Sequence, residues 1–591
     1  MSDKIKNKNI EKEEYFKDKN IHLGNRELIN KDKQNTRNLM TIKCFDIFYT
    51  IVFNGQIYNK EEIKIQLKDK GFESENNLDA EIVLKAFICF GTEIFKKLNG
   101  VFSFAIWNNK TEELYLVRDH FGIKPLYYTF KDSSLIFSTE VKGLLEYPGV
   151  ETKIDSTGIC ELFGLGPAHT PGSGIFKGIK ELKPAHFLIF NKDKIYIKKY
   201  WSLESKEHTD NFEKTCEKIR FLLEDSIEKQ MITESNLAVM LSGGLDSSII
   251  TAYASKNYKK QNKKLETFSI DYVDNDKNFV KTDFQPNSDN YYIDLMRKKY
   301  DTQHKNIVID TPELIDTLED AMAARDFPGM ADVDSSLLLF CNQISKTNSV
   351  VLSGECSDEI FGGYPWFFRK DALESNTFPW SIALEERQEI LNSEISKQVN
   401  LKAYVDFRYN DSLIDVRNLV EDSKETADKR KISYLTTDWF MQTLLDRADR
   451  MSKISGLEIR VPFCDYRIVE YMWNVPWEMK ALDGREKGLL RYVVKDLLPE
   501  EIVNRKKSPY PKTHNPNYLK VVKEKLARIM ENKDAPINDL LNKQYILEIL
   551  ESNGKSFRRP WFGQLMTGPQ LMAYLIQVNM WLEKYQVKIE L

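Results

Sequence analysis

Two short stretches carry residue types suited to phosphate chemistry. The first, Val239-Met240-Leu241-Ser242-Gly243-Gly244-Leu245-Asp246-Ser247-Ser248, passes from an apolar run through two glycines into a helix-like segment. Small residues let a backbone approach an anion closely, and a helix starting there offers unpaired N–H groups and its positive end. The lysine of a nucleotide-hydrolysing P-loop is missing, so charge must be neutralised by other groups. Asp246, inside the loop, suits Mg²⁺ shared with phosphate oxygens. The second stretch, Val350-Val351-Leu352-Ser353-Gly354-Glu355-Cys356-Ser357-Asp358-Glu359, repeats the device with three acids. The competing reading for either turn is an ordinary strand-to-helix connection with solvated acids. Both together, at the carboxyl ends of two strands, point to one crevice.

Such loops need a parallel sheet to hold them. A helix is expected over 213–232, with Cys216, Ile219, Leu222, Leu223 and Ile227 on one face. Apolar strands then alternate with amphipathic helices: "LAVML", "ETFSIDY", "KNIVID" and "SVVLSGE". From about 380 onward the pattern is mostly helical. Residues 40–200 differ, reading as short strands with turn punctuation: "FDIFYTIVFNGQIYN", "VFSFAIW", "ELYLVRD", "PLYYTF", "SLIFSTE" and "HFLIFNKDKIYIKKYW". The charged "SLESKEHTDNFEK" reads as a linker. The expected fold is therefore mixed α+β and α/β. Layered antiparallel sheets fill 1–200, and a doubly wound parallel-sheet domain with a helical C-terminal part fills 201–591.

Composition limits the partners. A 591-residue chain exceeds one core, and a net charge of −4 gives no general attraction to nucleic acid or an acidic membrane. The lysine-rich start is unlike a signal peptide, and no apolar run reaches the roughly 18 residues of a bilayer span. Seven scattered cysteines without a CxxC pair suit reduced thiols. The expectation is a soluble cytoplasmic protein acting on small molecules.

The first loop resembles the pyrophosphate-binding S-G-G-x-D-S loop of ATP pyrophosphatases. The second is similar to the SGEGSDE segment of asparagine synthetases, with Cys356 in place of a glycine. "FNGQIYN", "LNGVFSFAIW", "RDHFGIKPLYY", "FSTEVKGLL", "SGLEIRVPFCDYRIVEY" and "GREKGLLRYVVKDLLP" follow in that family's order, so the resemblance runs along nearly the whole chain. It implies a synthetase domain that turns aspartate and ATP, with Mg²⁺, into β-aspartyl-AMP, which ammonia converts to asparagine. It also implies an amino-terminal glutamine amidotransferase domain and a homodimer. By position, Leu241, Ser242, Gly243, Gly244, Asp246, Ser247 and Ser248 would bind ATP and pyrophosphate. Asp246 and Asp358 would hold Mg²⁺, Ile270 would line the adenine pocket, and Ser353 and Gly354 would lie near the nucleotide. Lys487 would neutralise charge building on the α- and β-phosphates. Glu355 would take the proton from attacking ammonia. Outside the motif Lys487 is one of 85 basic residues and reads as a solvated lysine. Arg460 is expected to support structure only.

The amino terminus departs from the family. Glutamine-dependent members begin with a processed Cys-Gly whose α-amine activates its own thiol. This chain begins Met1-Ser2-Asp3-Lys4, its first cysteine is Cys44, and the family's R-G-P-D turn reads "KNIE". Asn54 and Gly55 keep the oxyanion-hole pair, and Arg26 and Asp79 stand where the family contacts glutamine. Gln56, however, replaces a glutamate, and an amide cannot pair with the substrate ammonium as a carboxylate does. The expectation is a truncated, inactive glutaminase, with neither Ser2 nor Cys44 serving as nucleophile. Ammonia, free or from a separate glutaminase, would feed the synthetase. Two other readings compete. A β-lactam-synthetase-like enzyme would adenylate a different carboxylate, against the pattern of Glu355 and "PGMADVDSS". A silent regulatory homologue would have no reason to keep Ser242, Asp246, Asp358, Glu355 and Lys487 together.

Overall fold

The structure, a computed structural model, describes residues 1, 10–28, 37–74, 76–192, 194–278 and 288–591. Ser2 lies outside the described residues. The chain forms two units: Met1–Glu151 with Pro171–Leu203, and Thr152–Thr170 with Glu204–Leu591. The chain passes from one unit to the other after Glu151, Thr170 and Leu203. The excursion of 152–170 into the second unit is not visible in the sequence, because its partners are distant in the chain. Ile154, Ile159, Phe163 and Leu165 are buried there, Tyr574 Oη donates to Leu162 O at 2.8 Å, and Lys153–Ile154 pairs with Lys588–Ile589.

In the first unit six antiparallel strands run in the order Lys194–Lys199, His186–Asn191, Glu113–Arg118, Gly100–Asn108, Ile47–Ile57 and Leu39–Cys44. Tyr127–Lys131 and Ser134–Ser138 form a second sheet with Lys180–Glu181. Period-2 geometry with a core on each face explains why "VFSFAIW" is buried throughout and nearly all apolar. Phe102, Phe104 and Ile106 face a core built with the helices Lys60–Lys68 and Asp79–Phe90, while Ala105 and Trp107 face Leu126, Tyr128 and Leu182 on the other side. The charged opening, where the sequence marks no individual strand, carries an antiparallel hairpin of Ile10–Asp18 and Ile21–Leu28. Ile21 and Leu23 are buried in it, while His22 and Gly24, which alternate with them, are exposed.

The motif "RDHFGIKPLYY" proves to be a folded loop rather than a site. The buried carboxylate of Asp119 accepts from the backbone N–H groups of Phe102, Phe121, Ile123 and Lys124 at 2.9–3.2 Å. Arg118 donates to the carbonyls of Gly122, Lys124 and Leu182 and pairs with Glu181 at 2.9 Å. Asp119→Ala should therefore destabilise this unit by roughly 3 kcal/mol or more, since each orphaned N–H costs about 1–3 kcal/mol. Chemical denaturation followed by tryptophan fluorescence would show this, and an unshifted midpoint would refute it.

The second unit carries a five-stranded parallel sheet in the order Gln303–Ile309, Glu266–Tyr272, Leu237–Met240, Val350–Leu352, Glu458–Arg460. The strand order reverses between Leu237–Met240 and Val350–Leu352, the switch point at which doubly wound sheets open a crevice. The helix Phe212–Met231 buries Ile219, Leu222, Leu223 and Ile227 as expected, with Cys216 only partly covered. The expected linker is laid along this unit: Trp473 Nε1 donates to Ser205 Oγ at 3.0 Å, and Tyr471 Oη to Asp210 Oδ2 at 2.9 Å. Gly568–Lys584 is buried on nearly all sides, as a helix without a polar face must be. No helix among the described residues is long and apolar enough to cross a membrane.

Candidate active site

Both expected loops sit at the switch point. Leu241 N bonds Phe268 O at 2.7 Å as the chain leaves its strand, and the helix Leu245–Lys260 starts at Gly244 with no side-chain cap. Its first N–H groups are thus open to an anion. Gly243 adopts φ +68°, and a Cβ there would lie 2.7 Å from Tyr292 Cβ, so the turn tolerates no side chain. Ser242 Oγ and Ser247 Oγ are 3.1 Å apart, and the buried Ser248 hydroxyl has no partner. The second loop presses against the first. A Cβ on Gly354 would lie 2.9 Å from both Asp246 Cβ and Ser247 N.

Three expected residues converge behind these loops. Lys487 Nζ lies 2.7 Å from Asp246 Oδ2 and 2.6 Å from Asp358 Oδ1, and Ser357 Oγ donates to Asp246 Oδ1 at 2.7 Å. Gly363 makes room for this, since a Cβ there would meet Asp358 Oδ1 at 1.9 Å. Burial pulls the Lys487 ammonium down, but the two carboxylates outweigh it and hold the group above its ordinary value. Burial likewise raises the Asp358 carboxyl, yet Lys487 and Lys507 together hold it well below the usual carboxylate range. Two carboxylates thus converge on one buried cation. Among the described residues no group of three His, Cys, Asp or Glu residues gathers to hold a metal. A two-carboxylate set fits Mg²⁺ completed by phosphate oxygens rather than a metal caged by protein alone.

Glu355 faces the same crevice. Its Oε1 accepts from Arg447 Nη2 at 2.9 Å while Oε2 is unpartnered. Burial pushes the Glu355 carboxyl up, and Arg447 offsets part of that rise. Arg447 in turn stacks on Tyr510, 4.8 Å from the ring centroid. The crevice, about 230 Å³, is lined by Leu241, Ser242, Asp246, Ser247, Ile270, Ser353, Gly354, Glu355 and Asp358, and also by Arg447, Lys507 and Tyr510. Lys487 is not on that wall but behind the carboxylates, 3% exposed. Arg447, Lys507 and Tyr510 were not singled out from sequence. A signal for Arg447 exists, since its helix Met441–Ile454 buries Arg447 and Arg450 among Met441, Leu445, Ala448 and Met451. Arg460 holds the carbonyls of Gln230 and Ile232 and pairs with Glu458, a structural arrangement.

In the first unit Asn54, Gly55 and Gln56 lie consecutively on Ile47–Ile57. Asn54 Nδ2 donates to Ser103 Oγ at 3.3 Å, and Gly55, at φ +137°, lies so close to Val101 O that a Cβ would stand 2.0 Å from it. Asp79 Oδ1 accepts from Ile57 N at 2.9 Å, and Arg26 pairs with Glu13 on the neighbouring strand.

Fold and crevice together define a nucleotide-dependent α/β enzyme carrying an antiparallel-sheet domain. Comparison with known proteins narrows that class. Residues 218–583 match the asparagine synthase family and 1–201 the glutamine amidotransferase domain. The chain is 44% identical over 591 residues to asparagine synthetase [glutamine-hydrolyzing] 3 of Bacillus subtilis (strain 168), covering 100% of this chain and 96% of that one. It is 27% identical to asparagine synthetase [glutamine-hydrolyzing] 1 of the same organism, over 94% of this chain and 89% of that one. The chain belongs to the asparagine synthetase family and is an ATP-dependent amide-forming ligase.

Proposed function

We propose that the second unit makes asparagine from aspartate and ATP by way of β-aspartyl-AMP, with ammonia as the nitrogen nucleophile. An aspartate β-carboxylate oxygen attacks the α-phosphorus and pyrophosphate leaves. Ammonia then attacks the acyl carbon, AMP leaves, and Glu355 takes the proton through its free Oε2. Leu241, Ser242, Gly243, Gly244, Ser247 and Ser248 would cradle the phosphates, with Ile270 beside the adenine and Ser353 and Gly354 near the nucleotide. Lys487 would supply positive charge during adenylation. Asp246 and Asp358 would hold Mg²⁺, which neutralises phosphate charge when bound. The carrying observation is that one crevice joins a carboxylate pair at a capless helix start to a carboxylate oxygen without a partner.

Residues of the first unit support ammonia over glutamine. Gln56 offers no charge to a substrate ammonium. Cys44 pairs with Ile47, seven residues from Asn54 on an extended strand, hence about 24 Å away at ~3.4 Å per residue. Cys89 stands ten residues beyond Asp79 on one helix, about 15 Å away. Neither thiol can reach a glutamine held at Asn54 and Gly55. With this 591-residue chain, ammonium should support AMP and asparagine formation, and glutamine should yield no glutamate above a blank. Glutamine-driven synthesis by the purified chain would overturn the nitrogen assignment. Absence of aspartate-dependent pyrophosphate release would overturn the whole reading.

A further inference from the structure

Two neighbouring segments of the second unit carry one thiol each. Cys356 follows Glu355 directly and lines the crevice, and Cys464 ends the short turn Pro462–Cys464. Their thiols share a hydrogen bond. Other contacts hold the segments side by side. Ser353 N donates to Arg460 O at 2.9 Å, and the Phe361 and Phe463 rings meet edge to face at 6.1 Å. Cys356 adopts φ +74°, a conformation that suits glycine and strains a residue with a Cβ. A sulfur is therefore set against a second sulfur where the backbone favours no side chain at all.

We infer that Cys356 and Cys464 are a redox site, joined by a small peroxide into a reversible disulfide that displaces Glu355 and Asp358. The Cys356 sulfur takes one oxygen from hydrogen peroxide, giving a sulfenic acid and a water. The Cys464 sulfur then displaces that oxygen as a second water, and the S–S bond forms. The two thiols lose two electrons and two protons, which the peroxide accepts. The residues are only 3% and 7% exposed, so bulky oxidants are excluded. A disulfide sets its sulfurs about 2.05 Å apart, closer than any hydrogen-bonded pair of thiols, so one segment must yield. The Cys464 side is the firmer. Ser226 Oγ donates to Pro462 O at 2.8 Å, and Asp465 caps the helix Tyr466–Asn474 by accepting from Arg467 N at 3.0 Å. The yielding segment is then the one that holds Glu355 against Arg447 and Asp358 against Lys487. The loss of activity rests on the ligase reading above; the disulfide does not.

Oxidation of the full chain with a few equivalents of hydrogen peroxide, followed by tryptic mapping, tests this. Peptide 347–369 should appear joined to 461–467. In step with it, aspartate-dependent pyrophosphate release should fall about 10- to 100-fold, the scale set by a misplacement near 1 Å, and dithiothreitol should restore it. Cys464→Ser should match the parent before oxidation and give no joined peptide. Any loss it then suffers should resist dithiothreitol, because a sulfenic acid without a second thiol proceeds to the irreversible sulfinic acid. Cys356→Gly, compared with its own unoxidised state, should show no loss that dithiothreitol recovers. Absence of the joined peptide in the parent would overturn the inference, as would a joined chain of undiminished activity. A dithiothreitol-recoverable loss in either variant equal to the parent's would do the same, placing the sensitive thiol elsewhere. A parent that releases no pyrophosphate before oxidation would instead overturn the ligase reading, and the joined peptide would still decide the disulfide.

Discussion

Lys487→Met is expected to lower aspartate-dependent pyrophosphate release by roughly 10²–10³, the usual cost of removing one donor aimed at developing charge. The change also leaves Asp246 and Asp358 without their shared ammonium. Breaking a buried pair this way costs about 3–5 kcal/mol, less here because Lys507 stays on Asp358. A second readout follows from mass action. Mg²⁺ should raise the melting temperature of the variant more than that of the parent, where the ammonium competes for the same carboxylates. Near-parental pyrophosphate release would remove Lys487 from the adenylation step. A metal response no larger than the parent's would mean the carboxylates do not form the Mg²⁺ site.

Glu355→Gln should divide the reaction at its midpoint. The side chain keeps its shape and can still meet Arg447, so a single turnover should release about one equivalent of pyrophosphate per site. Asparagine formation should fall by about 10²–10⁴, the range associated with loss of a positioned base. The parent's pH dependence carries the same signature. Burial raises the Glu355 carboxyl, so its basic form disappears at a higher pH than an ordinary glutamate's as the solution is acidified. Amide formation should therefore fail on the acid side before adenylation does. Equal losses in both half-reactions would make Glu355 a binding residue.

The loops were legible because their chemistry is local. Ser242 to Ser248 and Ser353 to Asp358 announce themselves by small residues and acids directly after apolar runs, and those runs became the two strands at the switch point. "ETFSIDY" became the strand Glu266–Tyr272 because alternation over seven residues is a local property. Lys487 required the family's motif, since nothing in "GREKGLLR" tells a buried lysine from a solvated one. Lys507 was missed for a related reason. Its partner lies 149 residues away, and a basic run in an irregular segment has no periodicity to mark an inward face. The first hairpin was missed because its dense charge hid an alternation that only Ile21 and Leu23 reveal as half-buried.

The excursion of 152–170 into the second unit has a consequence for how the chain is made. Tyr574, whose hydroxyl holds the Leu162 carbonyl, lies 412 residues farther along. At about 5–20 residues per second, translation takes roughly 20–80 s to deliver it. For that interval Ile159, Phe163 and Leu165 have emerged from the ribosome, but the last of their neighbours has not yet been synthesised. The flanking stretches, up to Glu151 and from Pro171 to Leu203, can meanwhile close around their own core. A greasy loop then waits at the surface of a finished domain. Nascent chains halted between residues 210 and 560 should accordingly engage hydrophobic-binding chaperones at this loop and release them once the terminal helix appears.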